Sequence, residues 1–151
     1  MAKKNLFPFH FESDFRIVGV FCLENDYRLS WLMNNRLLFD FKRTIDFGFY
    51  SEKLQQPANH SVFHCEQDTL QRSFFLLNNH SYEGSTLFAK PPGINFLMLL
   101  KAERYDIKDL LKKLRSLPQV TAAYQLDDAL GKHKESFLYD FEMYLGQELK
   151  M

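Results

Sequence analysis

The chain has 151 residues, the length of a single domain that can bury a sizeable core without disulfides or metal. Lysine plus arginine and aspartate plus glutamate stand at 19 each, so no net field steers the molecule toward nucleic acid or an anionic membrane. No stretch approaches the roughly eighteen uninterrupted apolar residues of a membrane helix, and Met1 to Glu12, broken by Pro8 and His10, is too short and interrupted for a signal-peptide core.

After an N-terminal arm over residues 1–13, Phe15 to Cys22 is a short β-branched and aromatic run, the pattern of a central strand buried on both faces. Asn25 or Asp26 then caps a helix that sets Leu29, Leu32 and Met33 on one side and ends near Leu38. From Phe39 to Phe49 the odd positions are apolar except Arg43, which predicts one strand with a wet face. Periodicity is lost between Ser51 and Ser61, which reads as a surface loop. Val62 to Glu66 and Leu70 to Asn78 read as strands joined by a tight turn, with a third short strand after the polar turn from Asn78 to Ser85. Lys90-Pro91-Pro92-Gly93 interrupts this meander before the apolar strand Ile94 to Leu100.

Asp106 opens a second helix, with Ile107, Leu110, Leu111, Leu114 and Leu117 forming its apolar stripe and Pro118 closing it, and Val120 to Leu126 returns as a strand. In a C-terminal tail over 127–151, Phe137, Leu138, Phe141 and Leu145 recur at helical spacing. The whole reads as one α+β domain over 1–151. It has a mixed, largely antiparallel sheet, two β-α-β units in an enlarged ferredoxin-like arrangement, and a C-terminal helix. Right-handed crossovers place both inner helices on one face of the sheet. The other face then needs the tail helix, a ligand or a second subunit.

The 16 Phe, 7 Tyr and single Trp make aromatic carbon the main buried material, for a broad core or a partner-covered surface. Cys22 and Cys65 are far apart inside apolar runs, which suits buried thiols in a reducing compartment and hence a cytoplasmic protein.

Three segments carry a resemblance: Asp26-Tyr27-Arg28-Leu29-Ser30-Trp31-Leu32-Met33-Asn34, Phe96-Leu97-Met98-Leu99-Leu100, and Leu114 to Tyr124. Over roughly Asp14 to Asp140 the chain resembles a family of small uncharacterised proteins of Bacteroidetes-type bacteria named for an Ile-Pro-Glu-x-x-x-Val-Asp-Tyr signature. The signature's Ile, Pro and Glu fall on Phe88, Ala89 and Lys90, and its Val, Asp and Tyr on Ile94, Asn95 and Phe96. A lysine and an asparagine cannot replace a glutamate and an aspartate as bases or metal ligands, whereas the apolar positions keep their character. The resemblance therefore implies a strand-turn-strand corner and a fold, and no activity.

Few residues carry a chemical signal. His60, His64 and Cys65 are the closest metal-like set, yet adjacent residues of a strand point to opposite faces, so no metal is expected. No Gly-x-Ser-x-Gly elbow occurs, and the joints Leu23-Glu24-Asn25 and Ala102-Glu103-Arg104-Tyr105 lack the glycines that cradle phosphates, so no cofactor is expected. The pairs Asp106 with Asp109 and Asp127 with Asp128 suit helix caps better than an acid-base dyad. Arg104, Lys108, Lys112 and Arg115 follow at helical spacing as a basic face diluted by Asp106 and Asp109. Tyr27, Arg28, Trp31 and Asn35 share one face of the first helix, where an Arg beside a Trp can anchor a ligand or partner.

The function expected from these signals is a non-catalytic interaction or structural module that self-associates as a homodimer through its sheet surface or tail helix. An ACT-like small-molecule sensor stands second and an RNA-binding accessory protein third, the neutral charge weighing against nucleic acid. Catalysis ranks last because no nucleophile-base, metal or phosphate motif is present.

Overall fold

The computed structural model describes residues 13–126, 130–131 and 133–151, so the N-terminal arm and the Asp127-Asp128 pair lie essentially outside the described residues. The described chain is α+β. Six strands form one sheet in the order β2-β5-β6-β7-β1-β8, and every neighbouring pair is antiparallel. They span Lys42–Arg43 (β2), Val62–Gln67 (β5), Arg72–Asn78 (β6), Phe96–Ala102 (β7), Arg16–Cys22 (β1) and Val120–Gln125 (β8). The β1 strand is interior, between β7 and the edge strand β8, and Gly19 within it leaves room for Leu126 to cross, since a Cβ there would meet Leu126 at 2.6 Å.

Helix α1 (Asp26–Leu37) begins where Asn25 Oδ1 accepts the Arg28 N–H at 2.8 Å. It stops at Leu38, whose φ of +65° turns the chain out of the helix. Helix α2 (Ile107–Arg115) begins at Asp106, which accepts the Lys108 N–H at 3.0 Å, and links β7 to β8 across the intervening β1. Leu29, Leu32 and Met33 of α1 and Leu110, Leu114 and Leu117 in and after α2 pack with Val18, Phe74, Leu76 and Met98 in one core on one face of the sheet. Leu111, expected on the buried stripe, is only partly buried at its margin, because a stripe centred on residues 110, 114 and 117 places residue 111 at its edge.

The opposite face is covered by helix α3 (His133–Gln147) and by a two-stranded sheet of β3 (Phe47–Ser51) and β4 (Gln56–His60). Phe137, Phe141, Tyr144 and Leu145 of α3 meet Phe47 from the hairpin and Ile17, Phe75, Leu77, Leu97 and Leu99 from the large sheet. Edge-to-face rings knit this layer, with Phe141 centred 5.2 Å from Phe75 and 5.5 Å from Phe47. Of the three covers expected for this face, the tail helix, a ligand or a second subunit, the tail helix fills it within one chain.

Three expectations need correction. The alternating run Phe39 to Phe49 is not one strand but two, β2 and β3. Phe39 and Phe41 feed the α1/α2 core while Phe47 feeds the α3 core, so one alternation serves two layers and the chain changes sheet at Thr44 to Asp46. The expected loop Ser51 to Ser61 contains β4, whose polar outward residues hide its strand character. The third meander strand is absent: residues 79–95 make only an isolated bridge between His80 and Thr86. Here Asn79 acts as the spacer, its buried carboxamide donating to the carbonyls of Phe88 and Ile94 and accepting the Phe88 N–H, each at 2.9 Å. The corner Phe88 to Phe96 hangs on these bonds. Asn95 Oδ1 accepts the Cys22 N–H at 2.8 Å and so ties this corner to the end of β1.

Candidate functional site

A groove of about 460 Å³ lies where α1 meets the β2 edge of the sheet. Phe41 and Phe63, both nearly buried, form its floor, while Tyr27 and Trp31, one helical turn apart on α1, form a wall that is 73% and 43% exposed. Burying their rings elsewhere would empty this wall, since the opposite side of α1 already carries the core leucines.

Cations sit on aromatic faces on both sides. The Arg28 guanidinium lies 4.9 Å from the centre of the Trp31 ring, and that of Arg43 lies 5.7 Å from Phe63. Arg43 also donates to Asp46 and to the Tyr82 hydroxyl, each at 2.6 Å. Three of the sequence-derived candidates, Tyr27, Arg28 and Trp31, therefore do come together. Asn35 is on the same side of α1, but its side chain turns back to donate to the Trp31 carbonyl at 2.9 Å and is spent within the helix.

Asn34 contributes instead. Its carboxamide lines the groove and binds Phe41 twice, accepting the Phe41 N–H at 2.7 Å and donating to the Phe41 carbonyl at 3.0 Å. Sequence reading misses it because an asparagine at that helical position carries no periodic signal. Only the fold shows that the next segment passes beside it.

The basic face does not persist as four equivalent cations. Arg104 lies in the turn before α2 with φ of +55°, so it is off the helix. Lys108 and Lys112 are exposed on α2. Arg115 reaches the outer strand, where Nε and Nη2 donate to the Ala123 carbonyl at 3.1 and 2.6 Å, and its guanidinium lies 5.7 Å from the Tyr124 ring.

The metal-like set also separates. His64 stacks on Phe75 at 4.4 Å on the α3 side of the sheet, whereas Cys65 points into the α1/α2 core. His60 is buried and donates through Nδ1 to the Asn78 carbonyl at 2.8 Å. No group of three or more His, Cys, Asp or Glu side chains converges among the described residues. Cys22 and Cys65 are both buried, and burial raises both thiol pKa values above the ordinary range. A buried protonated thiol is a poor nucleophile.

Side chains occupy backbone groups at both edges of the six-stranded sheet. On the β2 side, Asn34 of α1 takes the Phe41 groups and the Tyr144 hydroxyl of α3 donates to the Ile45 carbonyl. On the β8 side, Arg115, the last residue of α2, takes the Ala123 carbonyl. Each helix thus supplies one polar side chain that occupies backbone groups a docking strand would use.

Comparison of the chain with family models, curated proteins and solved structures returned no match. No helix among the described residues is long and apolar enough to cross a membrane.

Proposed function

We propose that the protein is a non-catalytic interaction module that self-associates through the α1 face, with Tyr27, Arg28 and Trp31 as contact residues and a second copy of the chain as the partner. The observation that carries this reading is that one patch holds both projections and a recess. Tyr27 and Trp31 are 73% and 43% exposed on the wall of the groove floored by Phe41 and Phe63. A two-fold axis through such a patch places the projections of each copy in the recess of the other. Side chains held on backbone groups at both sheet edges hinder edge pairing, and a net charge of zero removes long-range repulsion between copies.

The strand order supports a ferredoxin-like ancestry for the framework. The run β6-β7-β1-β8, with α1 between β1 and the later strands and α2 between β7 and β8, has the order of that fold, and β2 and β5 extend it. Light scattering at tens of micromolar tests the proposal. A dimer mass for the intact chain and a monomer mass for Trp31→Glu are expected, with unchanged circular dichroism because Trp31 is half exposed. A monomer mass for the intact protein overturns it.

One observation favours a second reading, an ACT-like sensor. The groove volume falls within the roughly 300–1,000 Å³ typical of small-ligand sites. Native mass spectrometry of protein purified from its own cells would then show a bound small molecule that Trp31→Glu loses.

A further inference from the structure

Two guanidiniums lie together at one end of the large sheet without an ion pair among the described residues. Arg16 opens β1 and Arg72 opens β6, with β7 between them, Leu100 beside Arg16 and Ala102 beside Arg72. Both face the α1/α2 side, because Val18 and Phe74, two residues further along each strand, belong to that core.

Tyr105 stands between them. Arg16 Nη2 donates to the carbonyls of Ala102 and Tyr105, each at 3.2 Å, and the Arg72 guanidinium lies 4.7 Å from the centre of the Tyr105 ring. Both arginines are half-buried, and neither forms an ion pair among the described residues. Two acids stand nearby, Asp106, whose carboxylate caps α2, and Asp109, which lies 3.5 Å from Lys113, but neither forms an ion pair with Arg16 or Arg72 among the described residues. Arg72 Nε, moreover, is buried without a hydrogen-bond partner. A buried donor left unpaired beside a second like charge is costly, and a bound anion removes both penalties at once.

We propose that Arg16 and Arg72 form a binding site for a phosphate group, either free or as a phosphomonoester, with Arg104 in the adjoining exposed turn as a third cation. Planar guanidinium forks match the oxygens of phosphate and of carboxylate alike. The charge decides between them, since a dianion balances two guanidiniums and a carboxylate balances one. This site shares no residue with the α1 groove, so it stands independently of the self-association reading.

The test uses the full ¹⁵N-labelled chain titrated with inorganic phosphate at constant ionic strength, chloride making up the difference, while the arginine Nε–H resonances are followed by NMR. A saturable downfield shift of the Arg72 Nε–H is expected. Arg72→Lys keeps the charge but loses the fork and should bind about tenfold more weakly. Arg72→Met keeps a flexible chain over Tyr105 and should abolish the saturable shift at Arg16. A phenyl phosphate arm that binds more tightly than inorganic phosphate identifies a phosphomonoester, and equal binding identifies the free ion. A shift no larger than chloride alone produces, acetate binding as tightly as phosphate, or saturation unchanged in Arg72→Met overturns the proposal.

Discussion

The Asn34 carboxamide holds both backbone groups of Phe41, at 2.7 and 3.0 Å, in the way a neighbouring strand would hold them. Asn34→Ala should cost about 1–3 kcal/mol through two lost hydrogen bonds. Asn34→Asp can still accept the N–H but sets a carboxylate oxygen against the Phe41 carbonyl, so it should be no more stable than the Ala variant. Urea melts of the three proteins check the order, and an Asp variant as stable as the parent would contradict the bidentate role.

At the other edge, Arg115→Ala should free the Ala123 carbonyl and expose β8 to a second β8. The expected outcome is concentration-dependent association of a kind that Trp31→Glu does not prevent. Sedimentation of the double variant makes the comparison, and a double variant that stays monomeric rules edge pairing out.

Core and margin of α2 should respond differently to charge. Leu114→Asp buries an unpaired carboxylate and should cost more than about 3 kcal/mol, enough to unfold many domains of this size. Lys112→Asp on the exposed side should change the melting temperature little, and Leu111→Asp should lie between. Equal losses for Leu114→Asp and Leu111→Asp would mean that the helix is rotated from the orientation described.

Burial lowers the His60 pKa below its ordinary 6.5; the Asn78 carbonyl, Glu83 and Asp46 act against this, and His80 reinforces it. The unfolded chain therefore takes up a proton before the folded one does. The contribution of His60 is fully present above pH 6.5 and is lost as the pH falls through the folded value. Melting temperature followed from pH 7.5 to 5 should drop less steeply in His60→Gln than in the parent, and parallel curves would exclude His60 as the cause.

The two buried thiols give a simple probe of global opening. Cys22 and Cys65 should resist a thiol reagent in the folded protein and react together in denaturant. Rapid reaction of either thiol in native buffer would place it on the surface.

The sequence made the framework legible wherever one residue pattern served one purpose. The apolar run at β1, the Asn25 and Asp106 caps and the leucine spacing of α2 all describe local structure, and the helix of the tail was readable for the same reason. What escaped depended on neighbours remote in sequence. The single alternation from Phe39 to Phe49 hides a change of sheet, and the polar surface of β4 hides a strand that needs β3 to exist. Of the α1 group, Tyr27, Arg28 and Trp31 were found by helical position, whereas Asn34 gains its role only from the return of Phe41. Arg115, Arg16 and Arg72 show the same limit, since a charge is visible in a sequence and the groups that the fold brings to it are not.

The interior place of β1 sets the timing of biosynthesis. Arg16 pairs with Leu100, and Gly19 with Tyr124, so both neighbours of β1 leave the ribosome long after it does. At about 5–20 residues per second, the strand waits on the order of four to sixteen seconds for β7. Throughout that interval the nascent chain carries an apolar β1 with neither edge covered. Synthesis of this protein therefore includes an interval, set by topology and not by the stability of the finished fold, in which β1 has none of its native neighbours.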